Sequence, residues 1–308
     1  MADEILYAGV ANQRVAESLS TDFIMLAADR ESLPNHPALF YAGDLFGSGS
    51  NTKKVAHAGI MGYDLPVAVA DGAQVARTTW STGATTVAVG RRSKAYAPSD
   101  LARFTDPVGL LRGEMFARDA SASHMLALTS VIASLMGGFS NVAGSSGTDL
   151  SIANVLAALT FVEVGYQGAI APGMAMGLIH TQQGADLRSA LATSTAGAIQ
   201  WQTTPDQLAI KGNGFRGRYL DVDWFVSGHV PTANSGADRA GGVFVRGAVV
   251  YCDMSQVAES TDQLLIGGKV LFERDRDAKG ALTDYVSHSH FGAGEGIDAF
   301  GAALITDA

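Results

Sequence analysis

Three glycines in the stretch "KGNGFRGRYLDVDWF" have the spacing of a dinucleotide-binding loop. They are Gly212, Gly214 and Gly217, and the pattern G-x-G-x-x-G holds a pyrophosphate only where a strand enters it and a helix leaves it. Here the residues from 219 to 226 alternate between two faces, one of them wholly apolar, which predicts a strand instead. We therefore interpret the glycines as turn residues, because glycine reaches positive φ without a Cβ clash, and expect no nucleotide or other cofactor.

Two histidines near the carboxyl end, His288 and His290, are spaced so that they share one face of a strand. Two imidazoles are half of a tetrahedral zinc site, but no third ligand is evident nearby in the sequence, so we predict no metal. The acidic residues Glu273, Asp275 and Asp277 could bind calcium through their oxygens, and a solvated strand edge is the simpler interpretation.

The sequence contains no recognised arrangement of a nucleophile with a base and an orienting group. It has no G-x-S-x-G elbow, no Walker loop, no H-E-x-x-H and no pair of cysteines. Its one cysteine, Cys252, lies in the apolar run "VFVRGAVVYC" and is interpreted as a buried small hydrophobe. The stretch "GAGEG" at 292–296 is interpreted as a flexible turn, because no helix start follows it to hold a phosphate. We therefore predict no catalytic residue and no enzymatic activity.

Charged residues are sparse and apolar residues abundant in this chain of 308 residues. The charged fraction is 17%, where soluble domains average about 25%, and the apolar fraction is 47%. The best apolar run, Met125 to Phe139, is shorter than the ~20 residues of a spanning helix, so we predict no membrane segment. The N-terminus has acids where a signal peptide has basic residues, which indicates a cytoplasmic product. The remaining way to hide apolar surface is extensive self-association.

The net charge argues against DNA binding, and the glycine content favours a chain that can adapt its conformation. A net charge of −9 argues against clustered contacts to phosphates, so we expect no specific binding of DNA. The 36 glycines are about 12% of the chain, against a usual ~7%. They allow the backbone to change conformation, so that one chain can adapt to different neighbours.

The amino-terminal third is predicted to be one short amphipathic helix followed by an extended arm. Apolar residues recur at helical spacing between Val15 and Leu26, and a Gly- and Ser-rich segment follows. From there to about residue 99 the Thr- and Val-rich sequence favours strands, with Val87 and Val89 on one face. A two-stranded hairpin is marginal alone, so this arm must lie against something else.

A long helix is predicted next. Asp106 would cap it, Pro107 would occupy its first turn, and the apolar spacing continues to Met136, where Gly137 and Gly138 end it. At about 1.5 Å per residue this helix would be roughly 45 Å long.

The rest of the chain is predicted to mix helices and strands. A second helix over 149–164 would be capped by Thr148 and would bury Leu150, Val155, Leu156, Leu159 and Val162. A buried strand at 174–180 and a helix at 187–195 follow. Later strands are predicted at 218–227, at 243–252, in a hairpin with the turn "DAKG", and at the carboxyl end. The fold class is therefore α+β.

This order of elements resembles the major capsid proteins of tailed bacteriophages. Two local stretches are also similar to that family. The run "APGMAMGLIHTQQGADLRSAL" has a strand, a His turn and a helix start near Asp-Leu, and "GFRGRYLDVDWFVSGHVP" has a glycine turn, a strand and a terminal proline, here Pro231. The fold implied is the Hong Kong type capsid fold, which encapsulins and the floor of herpesvirus capsids share.

The resemblance implies a tailed-phage major capsid fold divided into six segments. They are an N-terminal arm (1–45), an extended β-hairpin loop (46–100), a peripheral domain with the long spine helix (101–165), an α/β axial domain (166–266), further peripheral-domain strands (267–292) and an axial-domain C-terminal strand (293–308). On this division the three glycines of the opening stretch shape an axial-domain turn.

The resemblance also implies where subunits meet. The extended loop of the family lies over a neighbouring subunit, and we place the subunit interface on Lys53, Lys54, Tyr63, Trp80, Arg91 and Arg92. Tyr63 and Trp80 are the candidate anchors, because aromatic side chains dominate interface energetics. Some members cross-link a loop lysine to a distant asparagine, but nothing in this sequence identifies a partner for Lys53, Lys54 or Lys94, so we predict a non-covalent shell.

The partners implied are copies of the chain itself, in hexamers and pentamers that enclose double-stranded DNA without binding it specifically. Scaffolding, portal and decoration proteins are expected as well. The scaffold would be a separate protein or a cleaved precursor, because no long scaffolding extension precedes the arm. The location implied is the virion capsid, assembled in the cytoplasm of a bacterial host. The alternatives are an encapsulin-type shell that encloses cargo enzymes, and an α/β enzyme with a novel site.

Overall fold

The computed structural model describes residues 33, 36–58, 71, 74, 82–106, 113–193, 214–258, 263–266 and 269–307. The amphipathic helix predicted between Val15 and Leu26 lies outside these residues, and so do Tyr63, Trp80 and Gly212.

The described residues form the following elements in chain order. The strands are β1 (Leu39–Asp44), β2 (Thr52–Ala58), β3 (Thr82–Ala88), β4 (Gly90–Tyr96), β5 (Val142–Ala143), β6 (Ala175–Ile179), β7 (Phe215–Tyr219), β8 (Val222–Val226), β9 (Thr232–Ala233), β10 (Asp238–Val245), β11 (Val249–Met254), β12 (Gln263–Ile266), β13 (Val270–Asp277), β14 (Leu282–Glu295) and β15 (Gly301–Asp307). The helices are α1 (Asp100–Thr105), α2 (Gly113–Ser134), α3 (Ile152–Tyr166) and α4 (Thr181–Thr193), with 3-10 turns at Met136–Gly138, Asn234–Gly236 and Asp298–Phe300.

The largest core lies around a mixed seven-stranded sheet. Its strand order is β5-β15-β10-β6-β8-β7, with β9 added beside β10. Strands β6 and β8 run parallel, and α4 lies between them in the chain. Every residue of β6 and β8 is buried, as expected for strands covered on both faces. The predicted buried strand at 174–180 is therefore confirmed, while α4 begins at Thr181 instead of Leu187.

A second sheet of six strands carries the base of the extended arm. Its order is β1-β11-β14-β13-β12, and β4 pairs with the other edge of β14. Strands β13 and β14 form the predicted hairpin, with the turn at 278–281. The 14-residue strand β14 extends from Leu282 to Glu295, so the interpretation of "GAGEG" as a flexible turn is wrong for its first four residues. Strands β2 and β3 pair only with each other among the described residues.

The structure contains the predicted long helix, and its C-terminal end comes earlier than the sequence pattern predicts. The described part, α2, has 22 residues, which is about 33 Å, and it ends at Ser134 before the 3-10 turn that contains Gly137 and Gly138. Asp106 is the C-terminal cap of the separate short helix α1, whose start is capped by Ser99. Residues 107–112, where the predicted first turn lies, are outside the described residues.

The prediction that no segment reaches the length of a membrane-spanning helix is wrong. The 24-residue segment Met115–Gly138 is long and apolar enough by length and composition. One side of it packs against β14 and β13, where Phe116 and Ala120 join Phe272 and Tyr285 in a small core. A core helix passes the same length test, and the buried contacts of α2 are those of a core helix.

The strand predicted at 218–227 is divided by a tight turn. Leu220 and Asp221 both have positive φ, 50° and 61°, which gives the two-residue hairpin that joins β7 to β8. The strand predicted at 243–252 is likewise two strands, β10 and β11, separated by a turn that includes Gly247 at φ 102°.

Helix α3 starts later than predicted and buries only part of the predicted face. Its cap is Ser151, whose hydroxyl accepts from the Asn154 backbone N–H, so the predicted cap at Thr148 is wrong. The helix buries Val155, Ala158 and Val162, whereas Leu156, predicted as a core residue, is 47% exposed.

Candidate subunit interface

The arm hairpin of β2 and β3 presents two different faces. Its inner face carries Val55 and Val87, which pack with the base of β11 in a small core that includes Val250 and the buried Cys252. The outer face carries small and polar residues, among them the exposed Lys54. The arm is therefore fixed to the body at its base by apolar burial, and its outer face is open.

Two glycines of β14 allow the arm to approach closely. A Cβ at Gly292 would collide with the carbonyl oxygen of Ala88 in β3, and a Cβ at Gly294 would lie 3.2 Å from the side chain of Val87. Because glycine lacks a Cβ, the backbone of β3 lies directly over this part of β14.

The four basic residues predicted at the interface occupy different positions on the arm and its return strand. Lys53 is half-buried on the inner face of β2, and Lys54 is exposed on the outer face. Arg91 and Arg92 are both exposed on β4, and they lie on opposite faces of the sheet. The guanidinium of Arg92 lies 5.9 Å from the ring centroid of Phe291. The two predicted aromatic anchors, Tyr63 and Trp80, lie outside the described residues.

Arg91 belongs to a cluster with both histidines of the predicted pair. In the register of β4 and β14, His290 faces Arg91 and His288 faces Ser93. The Nη2 atom of Arg91 lies 3.0 Å from Nδ1 and 3.2 Å from Nε2 of His288, and the hydroxyl of Ser93 lies 2.8 Å from the same Nδ1. Glu273 of β13 lies 3.4 Å from Nε2. The two histidines do share one face, as predicted, and the described residues contain no group of three or more metal-ligating side chains.

Burial and the nearby guanidinium disfavour protonation of these histidines. The pKa of His288 is lowered by burial and by Arg91, while Glu273 opposes the shift. The pKa of His290 is lowered by burial, by Arg91 and by His288. The Nδ1 atom of His290 is buried and has no hydrogen-bond partner within the described residues. Both rings are therefore neutral at neutral pH.

The opposite face of β14 is joined to α2 by a third histidine. His124 is 5% exposed, and its two ring nitrogens lie 3.0 Å from the hydroxyl of Ser287 and 2.6 Å from that of Ser289. Burial, His288 and Lys94 lower the pKa of His124. A neutral imidazole between two hydroxyls is fully hydrogen-bonded, since each hydroxyl can donate or accept.

Strand β4 is held to α2 by a second polar group. Lys94 donates to Asp119 at 2.6 Å and to Ser123 at 2.6 Å, and the hydroxyl of Tyr96 also donates to Asp119. Burial opposes the charged form of Asp119, but the hydrogen bonds from Lys94 and Tyr96 outweigh it and lower the pKa of the carboxyl. These contacts fix the return strand of the arm on the helix.

A buried ion cluster joins the segment that precedes β1 to strand β8 of the seven-stranded sheet. Asp223 of β8 is fully buried and accepts from Arg218 Nε at 2.9 Å. His36 Nε2 lies 3.0 Å from the other carboxylate oxygen. The backbone N–H of Ala38 donates to His36 Nδ1 at 3.1 Å, so the ring proton must be on Nε2, which donates to Asp223. Sequence reasoning missed this cluster, because His36 and Asp223 are 187 positions apart.

The two described glycines of the opening stretch lie at the start of β7. Gly214 is a buried turn residue whose carbonyl accepts from the Val226 N–H at 2.9 Å. Gly217 lies within β7 at φ 139°, where the register with β8 shifts by one residue. A glycine suits such a bulge because other residues rarely adopt this φ.

Large apolar side chains are exposed on two helices. On α3, Leu156, Phe161 and Val164 are 47%, 40% and 70% exposed, on the side of the helix opposite its buried face. On α1, Leu101 and Phe104 are 60% and 84% exposed. Exposed apolar surfaces of this kind are typical of sites that contact other molecules.

Comparison with known proteins identifies the fold. The sequence matches no protein-family model, and no curated protein is similar to it. The solved structures that are similar include the capsid of Ralstonia phage GP4 (9% identity, 91% of this chain and 92% of that chain, TM-score 0.62), the head structure of Helicobacter pylori bacteriophage KHP40 (7%, 90% and 90%, 0.59) and the capsid of the Cyanophage P-SCSP1u (10%, 90% and 89%, 0.57). The chain has an α+β fold, and it is the fold of phage capsid proteins, as the order of elements predicts.

Proposed function

We propose that this chain is the major capsid subunit of a tailed bacteriophage, which assembles into the hexamers and pentamers of an icosahedral head. The observation that carries the proposal is the fold match to phage capsids over about nine-tenths of both chains, 91% and 92% for the Ralstonia phage capsid. A match of this extent leaves little of the chain for a further domain with its own activity. The role is structural, and we propose no enzymatic activity.

The exposed apolar surfaces support self-association. Helix α3 contains one charged residue, Glu163, and it exposes Leu156, Phe161 and Val164 opposite its buried face. A helix that is apolar all round is buried on all sides in its working state. We propose that a neighbouring subunit covers this side of α3, and that the exposed Phe104 of α1 makes a separate contact.

The extended arm makes a further contact in this proposal. Its base is fixed on β11 and β14, and its open outer face carries Lys54. We propose that the arm lies over the neighbouring subunit, with Lys53, Tyr63, Trp80, Arg91 and Arg92 in or near the contact. The six-segment division into N-terminal arm, extended loop, peripheral and axial regions remains part of the proposal.

The role of a capsid subunit also implies partners other than copies of the chain. The net charge of −9 supports a shell that encloses double-stranded DNA without binding it specifically, since like charges repel the phosphates weakly. Scaffolding, portal and decoration proteins belong to the same proposal. The subunit would be made and assembled in the cytoplasm of the bacterial host and would reside in the virion capsid.

Electron microscopy of the expressed protein, alone and with neighbouring gene products, tests the proposal. Uniform hollow shells are expected, and DNA-filled particles from infected cells would support the phage role. Shells filled with cargo enzymes would support the encapsulin alternative instead. A stable monomer with enzymatic turnover would contradict both.

The substitution Val164→Asp is expected to abolish shells without unfolding the subunit. Val164 is 70% exposed, so the substitution changes little within one chain. An unpaired carboxylate buried against a neighbour costs several kcal/mol at every contact. Size-exclusion chromatography should show subunits or capsomers in place of shells, with an unchanged melting temperature.

The matched control is Gln182→Asp, which adds the same charge at an exposed position of α4. This control should assemble normally. Normal shells from Val164→Asp would show that the outer side of α3 is not a subunit contact.

A further inference from the structure

The strand that returns from the arm, β4, is joined to β14 by side chains that are sensitive to protonation. On one face of this pair, Arg91 and Ser93 contact His288, and His290 lies two register positions further along, opposite Arg91. We propose that these four residues form an acid-sensitive clasp, which holds β4 on β14 at neutral pH and loosens it when the histidines bind protons. The inference concerns the chain itself and does not depend on the proposed function.

The geometry of His288 requires a neutral ring. Arg91 has only donors, so its contact with His288 needs a ring nitrogen with a free lone pair. Ser93 lies 2.8 Å from Nδ1, and Glu273 lies on the Nε2 side at 3.4 Å. The arrangement fits one tautomer, in which Nε2 carries the proton and Nδ1 accepts from Arg91. A second proton would occupy Nδ1 and replace this hydrogen bond with the repulsion of two cations.

His290 adds a second group of the same kind. It faces Arg91 across the ladder, and its buried Nδ1 has no hydrogen-bond partner within the described residues. Burial, Arg91 and His288 all disfavour its charged form. Protonation of either histidine therefore makes protonation of the other more costly while the clasp is closed.

The charged groups around the clasp determine the sign of the pH dependence. Arg91 on β4 disfavours protonation of both histidines. Glu273 on β13 favours protonation of His288, but it offsets only part of the effect of burial and Arg91. On the other face of β14, His124 and Lys94 add positive charge or the capacity for it. Because the closed state has histidine pKa values below the ordinary 6.5, the opened state binds more protons below that pH, and acid favours opening.

Opening of the clasp is expected to affect the base of the arm, because β4 follows β3 directly in the chain. One residue, Val89, separates β4 from β3 of the arm, and Val89 packs in the small core at the arm base. Loosening β4 therefore loosens the base of the arm. Backbone hydrogen bonds and the Lys94 to Asp119 contact still connect β4 to the body, so the expected event is local opening and not global unfolding.

Amide hydrogen exchange at pH 7.5 and pH 5.5 tests the clasp. Protection factors, corrected for the intrinsic pH dependence of exchange, are compared for peptides covering 90–96 and for the buried strand β6 as an internal reference. One unit below the ordinary pKa, an opened histidine favours its charged form about tenfold, so about tenfold is the upper bound on the shift that each histidine gives to the opening. Protection of 90–96 should therefore fall at pH 5.5 relative to β6, by up to about hundredfold for the two histidines together.

Substitutions assign the effect to the clasp. In His288→Gln/His290→Gln, glutamine retains an acceptor oxygen but cannot be protonated, so the pH dependence at 90–96 should disappear. The control His229→Gln, an exposed histidine elsewhere, should retain it. Equal relative protection of the unsubstituted protein at the two pH values would overturn the proposal, whether or not the double variant folds. Loss of the pH dependence in His124→Gln alone would also overturn it, because the effect would then arise on the opposite face of β14.

Discussion

Replacing Asp223 with alanine is expected to lower the free energy of unfolding by about 3–5 kcal/mol, the cost of breaking a buried ion pair by removing one partner. Asp223 is fully buried and accepts from Arg218 and from His36. Without it, the buried His36 Nε2–H loses its acceptor, and the Arg218 guanidinium, whose side chain is 31% exposed, loses its ionic partner. Urea denaturation followed by tryptophan fluorescence should show a lower midpoint with little change in slope.

The same substitution should release the segment that leads into β1 of the six-stranded sheet. His36 precedes β1, and its Nδ1 and Nε2 atoms connect the Ala38 backbone to Asp223. Hydrogen exchange over 36–44 should increase in Asp223→Ala. The control Asp275→Ala removes an exposed carboxylate of β13 and should change stability by about 0.5 kcal/mol or less. A loss below about 1 kcal/mol for Asp223→Ala would mean that the cluster does not stabilise the fold.

The sequence pattern places Asp223 on the polar face of a half-buried strand, and the structure shows why this is wrong. The alternation from 219 to 226 spans two strands, joined at Leu220 and Asp221. Two-residue hairpins of this kind are usually signalled by Asn-Gly or Asp-Gly, and Leu-Asp carries no such signal. The partners that allow a buried aspartate cannot be found from local periodicity.

Local patterns predicted the elements whose signals are complete within a few residues. The buried strand Ala175–Ile179 and the hairpin of β13 and β14 have continuous runs of strand residues with turn residues beside them. The cap of α3 was not predictable in this way. Thr148 and Ser151 are both good caps, and packing of the following helix selects the second.

The prediction of the buried face of α3 is wrong for Leu156, and the reason matters for the proposed contact between subunits. The sequence offers two apolar faces, and the subunit buries the one with Val155 and Val162 and leaves Leu156 and Val164 exposed. Periodicity cannot rank two apolar faces, because both satisfy the same spacing. The order of elements along the chain carried the prediction of the fold, while the interface side chains depend on how each helix is rotated in the core.

The apolar contacts at the base of the arm require a close approach of β3 to Gly292 of β14. The backbone of Ala88 in β3 lies over Gly292, and a Cβ there would also be 2.9 Å from the Ala88 carbonyl carbon. Both colliding atoms are backbone, so no side chain can rotate to relieve the contact. Val87 and Val89, on either side of Ala88, reach the small core with Val250 only at this separation.

The substitution Gly292→Val is therefore expected to displace the arm base and prevent assembly. Overpacking of a close contact costs about 1–3 kcal/mol, which a fold of this size tolerates, so subunits should remain folded but less stable. The apolar contacts of Val87 with the body should be lost, since β3 must move away from β14. Electron microscopy should show no closed shells, and limited proteolysis should cleave within 46–100 faster than in the unsubstituted protein.

The matched control is Gly90→Val, at the position of β4 that pairs with Phe291, the neighbour of Gly292 in β14. A Cβ at Gly90 meets no atom within 4 Å, so valine fits there and suits a strand. Gly90→Val should form shells and keep the arm protected from proteolysis. If Gly292→Val assembles as well as this control does, the approach of β3 to β14 does not determine where the arm lies. If both variants fail, the cause lies in the loss of glycine from this sheet in general, because Gly90 makes no close contact.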